Sequence, residues 1–121
     1  MHVCRDTAAI KEAATTISDA ELRQLIAKRI EELAEYDCDL AELVNLIVVE
    51  AGDVLSDIDA ELGFSLMSRP IDVVESHVGW YELTFVLGDD GKGIVLYVPK
   101  VGADPEVLAL CQAHEQESSM P

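Results

Sequence analysis

Apolar residues recur at helical spacing in the first third of the chain and alternate at strand spacing in the last. Leu22, Leu25, Ile26, Ile30 and Leu33 form one stripe and predict a helix from about Asp19 to Tyr36. Ser18-Asp19-Ala20-Glu21 reads as its capping box: the Ser18 hydroxyl accepts from the Glu21 amide, and Glu21 reaches back to Ser18. Upstream, the Ala-rich stretch from Asp6 to Thr16 reads as a short helix capped by Asp6. After Asp37-Cys38, Asp39 caps a short restart. The next run supports two readings. Leu40, Leu43, Val44, Ile47 and Ala51 fit a continuing helix, whereas the β-branched run Leu46-Ile47-Val48-Val49 fits a buried strand from about Asn45 to Glu50, which is favoured here. Gly52-Asp53 turns the chain, Asp53 caps a helix from Val54 to Leu62, and Gly63 takes the C′ position.

Ser65 to Pro70 is a connector, and Pro70 opens a short helix over Ile71 to Ser76. Tyr81, Leu83, Phe85 and Leu87 then alternate with Glu82, Thr84 and Val86; Gly88 to Gly93 is rich in turn residues; Ile94 to Val98 returns and stops at Pro99. That is a β-hairpin pattern. Asp104 as cap and Pro105 as first residue open a last helix carrying Val107, Leu108, Leu110 and Cys111, and Glu115 to Pro121 form a polar tail. The expected fold is α+β: N-terminal helices, then a small sheet containing the hairpin at about 81–98, with helices on one face.

Composition sets the class. Of 121 residues, half are hydrophobic, which suits one folded domain rather than an acidic disordered chain. Within that domain, 1–121, the pattern separates a helical part (about 6–43), an α+β part (about 45–114) and the tail (115–121). Eight Lys and Arg against 24 Asp and Glu give a net charge of −16, which argues against direct nucleic-acid binding. No apolar run approaches the ~20 residues of a membrane-spanning helix, and Met1 to Lys11 holds no signal-peptide core. Cys4, Cys38 and Cys111 are odd in number and widely spaced, as in a reduced cytoplasmic protein.

The acids are not evenly spread. Between Ile30 and Ser68 there is no Lys or Arg, yet Glu31, Glu32, Glu35, Asp37, Asp39, Glu42, Glu50, Asp53, Asp57, Asp59 and Glu61 all fall there. Such a segment serves as a solvated face, a docking face for a basic protein or a mimic of nucleic-acid phosphates. The expected partner-binding face comprises Glu31, Glu32, Glu35, Asp37, Asp39, Glu42, Asp57, Asp59 and Glu61.

Glu32-Leu-Ala-Glu35 and Glu50-Ala-Gly-Asp53 together resemble the paired acidic motifs of MazG-type nucleotide pyrophosphohydrolases. The resemblance implies an alternative: a Mg²⁺-dependent enzyme in which Glu32, Glu35, Glu50 and Asp53 project from two helices. Gly52 and the β-branched run before Glu50 depart from it, as does the hairpin. Val48 through Gly63 resembles the first half of a LysM repeat, implying strand, Gly-Asp turn and helix. From Glu50 to Cys111, Gly52-Asp53, Gly79-Trp80-Tyr81-Glu82, Asp89-Asp90-Gly91 and Asp104-Pro105 resemble small uncharacterised proteins of bacterial plasmids and integrative elements, which implies an accessory role.

The remaining chemistry is sparse. His2, Cys4, Cys111 and His114 include zinc-ligand types but lack finger spacing, and Cys111 falls on an apolar stripe. Gly88 to Gly93 lacks the Gly-Lys-Ser/Thr end of a phosphate loop. His77 and Trp80 mark a core edge or a small pocket. The expected function is therefore a cytoplasmic, non-enzymatic interaction module with an acidic surface, with no cofactor, no metal and no set oligomeric state.

Overall fold

The computed structural model describes residues 1–4, 7–35, 44–68, 71, 73–87 and 92–119. The expected Asp6 cap, the Asp39 restart, the Pro70 helix start and the tip of the hairpin loop lie outside them. In chain order the elements are β1 (His2–Cys4), α1 (Thr7–Thr16), α2 (Ala20–Glu35), β2 (Val44–Val48), α3 (Leu55–Leu62), β3 (Val73–Ser76), β4 (Trp80–Leu87), β5 (Lys92–Pro99) and α4 (Pro105–Ser119). The fold is α+β, built on one mixed five-stranded sheet in the order β1-β2-β5-β4-β3. β2 and β5 run parallel at its centre, and the other neighbours are antiparallel.

Helices cover both faces of the sheet, which corrects the one-face expectation. Alternation along each strand sends successive side chains to opposite sides. Ile47, Val49, Leu83, Phe85, Leu96 and Val98 pack with Ile58 and Leu62 of α3 and Val107 and Cys111 of α4. Leu46, Val48, Trp80, Val95 and Tyr97 pack with Ile10 and Ala13 of α1 and Leu22 and Ile26 of α2. The continuous apolar runs of β2 and β5 are the mark of strands buried on both faces.

Several local expectations change in detail. β2 is a strand, as favoured. The span read as a helix from Ile71 to Ser76 holds strand β3, paired with β4 from Val73↔Thr84 to Ser76↔Tyr81. β-branched Val73 and Val74 suit that edge. Helix α4 continues to Ser119, so the backbone of most of the expected tail is helical. At α2 the cap is Asp19, whose Oδ1 accepts the Leu22 N–H at 2.9 Å. Glu21 does not turn back to Ser18; its Oε1 accepts the Gly79 N–H at 2.7 Å, tying α2 to the β3–β4 turn.

The start of α3 also differs. Asp53 does not cap it; Asp53 Oδ2 accepts the Glu50 N–H at 2.8 Å, closing the preceding turn. The free Leu55 amide donates instead to Asp104 Oδ2 at 3.1 Å, while Asp104 Oδ1 takes the Glu106 amide at 2.9 Å. One carboxylate thus serves the first turns of α3 and α4 and holds them side by side. Gly63 ends α3 at φ 81°, as expected. Gly102, at φ 86°, packs so closely that an added Cβ would lie 2.8 Å from the Ala51 Cβ.

Candidate functional site

The most distinctive polar group lies where β3 and β4 meet α2. Glu82 is 4% exposed, the only buried charged residue among those described. It stands on the α2 side of β4, the same side as Trp80, because the two are separated by one residue. Tyr97 is its directly paired neighbour on β5, and Glu75 is its directly paired neighbour on β3. Three cross-strand side chains and one helix residue, Arg29, therefore converge.

The two oxygens of Glu82 divide the contacts. Oε2 accepts the Tyr97 hydroxyl at 2.6 Å and sits 3.3 Å from Arg29 Nη2. Oε1 faces His77 Nε2 at 3.3 Å. His77 Nε2 is also 3.8 Å from Glu75 Oε2. The His77 backbone is fixed by its N–H bond to the Trp80 carbonyl at 2.9 Å. A cavity of about 30 Å³ opens among Leu25, Lys28, Arg29, Glu75, His77 and Glu82.

Burial by itself pushes the Glu82 carboxyl up; the Tyr97 hydroxyl, Arg29 and bonds from Glu75 and His77 outweigh it and hold the group below the usual carboxylate range. Glu75 moves the other way, raised first by its hydrogen bond to Glu82 and then by burial. Burial and the Glu82 charge also push the Tyr97 hydroxyl up, so it remains a donor. Like charges directly opposite on neighbouring strands repel, so a sequence that keeps two carboxylates here must supply cations or protons between them.

The acids of the expected docking face are dispersed. Glu31 is exposed on α2, and Asp57 and Glu61 are exposed on α3, across the sheet. Asp59 Oδ1 is engaged by the Leu66 N–H at 2.8 Å. Glu32 and Glu35 belong to α2, and their side chains lie outside the described residues, as do Asp37, Asp39 and Glu42. The two helix layers nonetheless differ in net charge, because the basic residues favour one of them. Helices α1 and α2 together carry four Lys or Arg against five Glu. Helices α3 and α4 carry six Asp or Glu and no Lys or Arg.

Glu50 and Asp53 occupy the turn after β2, not a helix, so the second acidic helix implied by the MazG resemblance is not formed there. Their cation is the Met1 ammonium, 3.0 Å from Asp53 Oδ2 and 3.5 Å from Glu50 Oε1. Burial works against ionisation of Asp53, but the Glu50 N–H and this ammonium hold it below the usual range. Cys4 is buried on the α1/α2 side of the sheet and Cys111, on α4, is buried on the opposite side, so the sheet separates the two thiols. His77 borders the small cavity, while Trp80 lines a separate cleft of about 460 Å³ with His2, Asp19 and Glu50.

Sequence reasoning passed over Glu82, Tyr97 and Arg29. Glu82 enters the sequence pattern only as a polar member of the alternating strand 81–87. The available signal was the unbroken apolar run of β5, its direct neighbour: a strand buried on both faces lies beside others covered on both faces. No helix among the described residues is long and apolar enough to cross a membrane. Comparison of the chain with protein-family models, curated proteins and solved structures finds no match.

Proposed function

We propose that this protein is an acidic interaction module that docks a basic protein segment on the α3/α4 side of its sheet. One observation carries the reading: the helix layer on that side contains six acids and no Lys or Arg, whereas the opposite layer is nearly balanced. A one-sided charge distribution directs encounter with a partner of opposite sign. Asp57 and Glu106 lie in the first turns of α3 and α4, which Asp104 holds together, so the acids of two helices meet at one end. Lys100 belongs to the same side of the molecule, but its ammonium is engaged by Ser76 Oγ at 2.7 Å and lies over the Tyr81 ring. The odd, widely spaced cysteines support a reducing, cytoplasmic setting.

The test is binding of a short, labelled lysine-rich peptide, followed by fluorescence anisotropy. Asp57→Asn with Glu61→Gln should weaken binding by about threefold to tenfold, as expected for two exposed charges. Glu12→Gln with Glu31→Gln removes the same charge from the opposite layer and should have less effect. Equal losses would show that net charge alone attracts the peptide, and the reading would fall.

A further inference from the structure

We propose that Glu75, His77 and Glu82 form a three-residue binding site for a divalent transition-metal ion of the zinc type. The argument begins with strand geometry. Glu75 and His77 are two residues apart at the end of β3, and Glu75 pairs directly with Glu82 on β4. Alternation and register therefore bring two carboxylates and an imidazole to the same side of one sheet edge. One potential ligand atom from each of the three lies within 4.8 Å of the others.

Their spacing suits an ion. Zinc binds imidazole nitrogen and carboxylate oxygen at about 2.0–2.2 Å, which sets neighbouring ligand atoms of a tetrahedral site about 3.3–3.6 Å apart. His77 Nε2 stands 3.3 Å from Glu82 Oε1 and 3.8 Å from Glu75 Oε2. The adjoining cavity of about 30 Å³ has room for one ion or water. Three protein ligands leave a fourth position open, the arrangement of a reactive rather than a purely structural zinc site.

The surrounding residues support this division of labour. Tyr97 and Arg29 both engage Oε2 of Glu82, which turns Oε1 toward His77. Such outer partners orient a ligating carboxylate. Arg29 balances one of the two negative charges where the carboxylates face each other, which leaves negative charge at the site to attract a cation. Exposure rises from Glu82, with 5% of its side chain exposed, through His77 at 23% to Glu75 at 51%, so one side of the site is open for an ion to enter. The imidazole selects a transition metal over Mg²⁺ or Ca²⁺, which take oxygen ligands.

Zinc chloride titrated into the metal-stripped full chain, read by calorimetry, tests the proposal. It predicts one saturable site that His77→Ala and Glu75→Gln each weaken at least tenfold, with His2→Ala and His114→Ala unchanged. Glu75 is half exposed at an edge, so its substitution leaves the fold intact, which circular dichroism verifies. Mg²⁺ should not compete at equal concentration. Cobalt(II) in the same site should show no thiolate charge-transfer band. Absence of a saturable site, zinc binding retained in His77→Ala, or a cobalt–thiolate band would each overturn the assignment.

Discussion

At the scale of single residues, Asp53 shows how a helix-cap pattern is diverted. Its carboxylate closes the turn back to Glu50 and meets the Met1 ammonium, leaving α3 to another residue. Asp53→Asn should therefore cost about 1.5–3 kcal/mol at neutral pH, the range for a hydrogen bond to a charged group. The sign with pH follows from the lowered folded pKa. The contribution is complete above the unfolded value of ~3.9 and disappears as pH falls through the lower folded value. Urea midpoints of the two proteins should differ clearly at pH 7, and the difference should shrink as pH is lowered below the unfolded value. The cap motif was visible in sequence; the Met1 ammonium that meets Asp53 was not, because β1, which follows Met1, is three residues long and too short to show a period.

At the scale of elements, Asp104 couples two helices. Asp104→Ala should release an amide of each and cost about 2–3 kcal/mol, against ~1 kcal/mol for Asp19→Ala, which frees one. Asp104→Asn should fall between, because an amide offers only one acceptor oxygen for two donors. Thermal melts of the three variants provide the comparison. The sequence shows Asp104-Pro105 plainly as the start of α4, but the bond to Leu55 spans 49 positions and no local pattern predicts it. The hairpin of β4 and β5 was legible because Tyr81, Leu83 and Phe85 alternate and Pro99 stops the return strand. β3 was not. Four residues after a proline give a weak local signal, and pairing with β4 outweighs it.

At the scale of the whole molecule, the α+β class followed from the order of periodic segments, whereas the covering of both sheet faces did not follow from the hairpin alone. Leu46 to Val49 and Ile94 to Val98 carried that information as runs without a polar partner. The distribution of charge was still less legible. Residues 30–68 read as one acidic stretch, but the chain crosses the sheet between α2 and α3, and only the folded topology sorts its acids into layers. The polar group around Glu82 is likewise a product of topology, joining Arg29, His77, Glu82 and Tyr97 from α2 to β5.

The central claim is that charge on one side of this molecule, not its total of −16, selects a basic partner. Amide chemical-shift mapping during titration with the lysine-rich peptide tests it most directly. The account predicts saturable shifts concentrated in Leu55–Leu62 and the first turns of α4, with little change in α1 and α2. Shifts spread evenly over both helix layers, or concentrated in Thr7–Glu35, would contradict it.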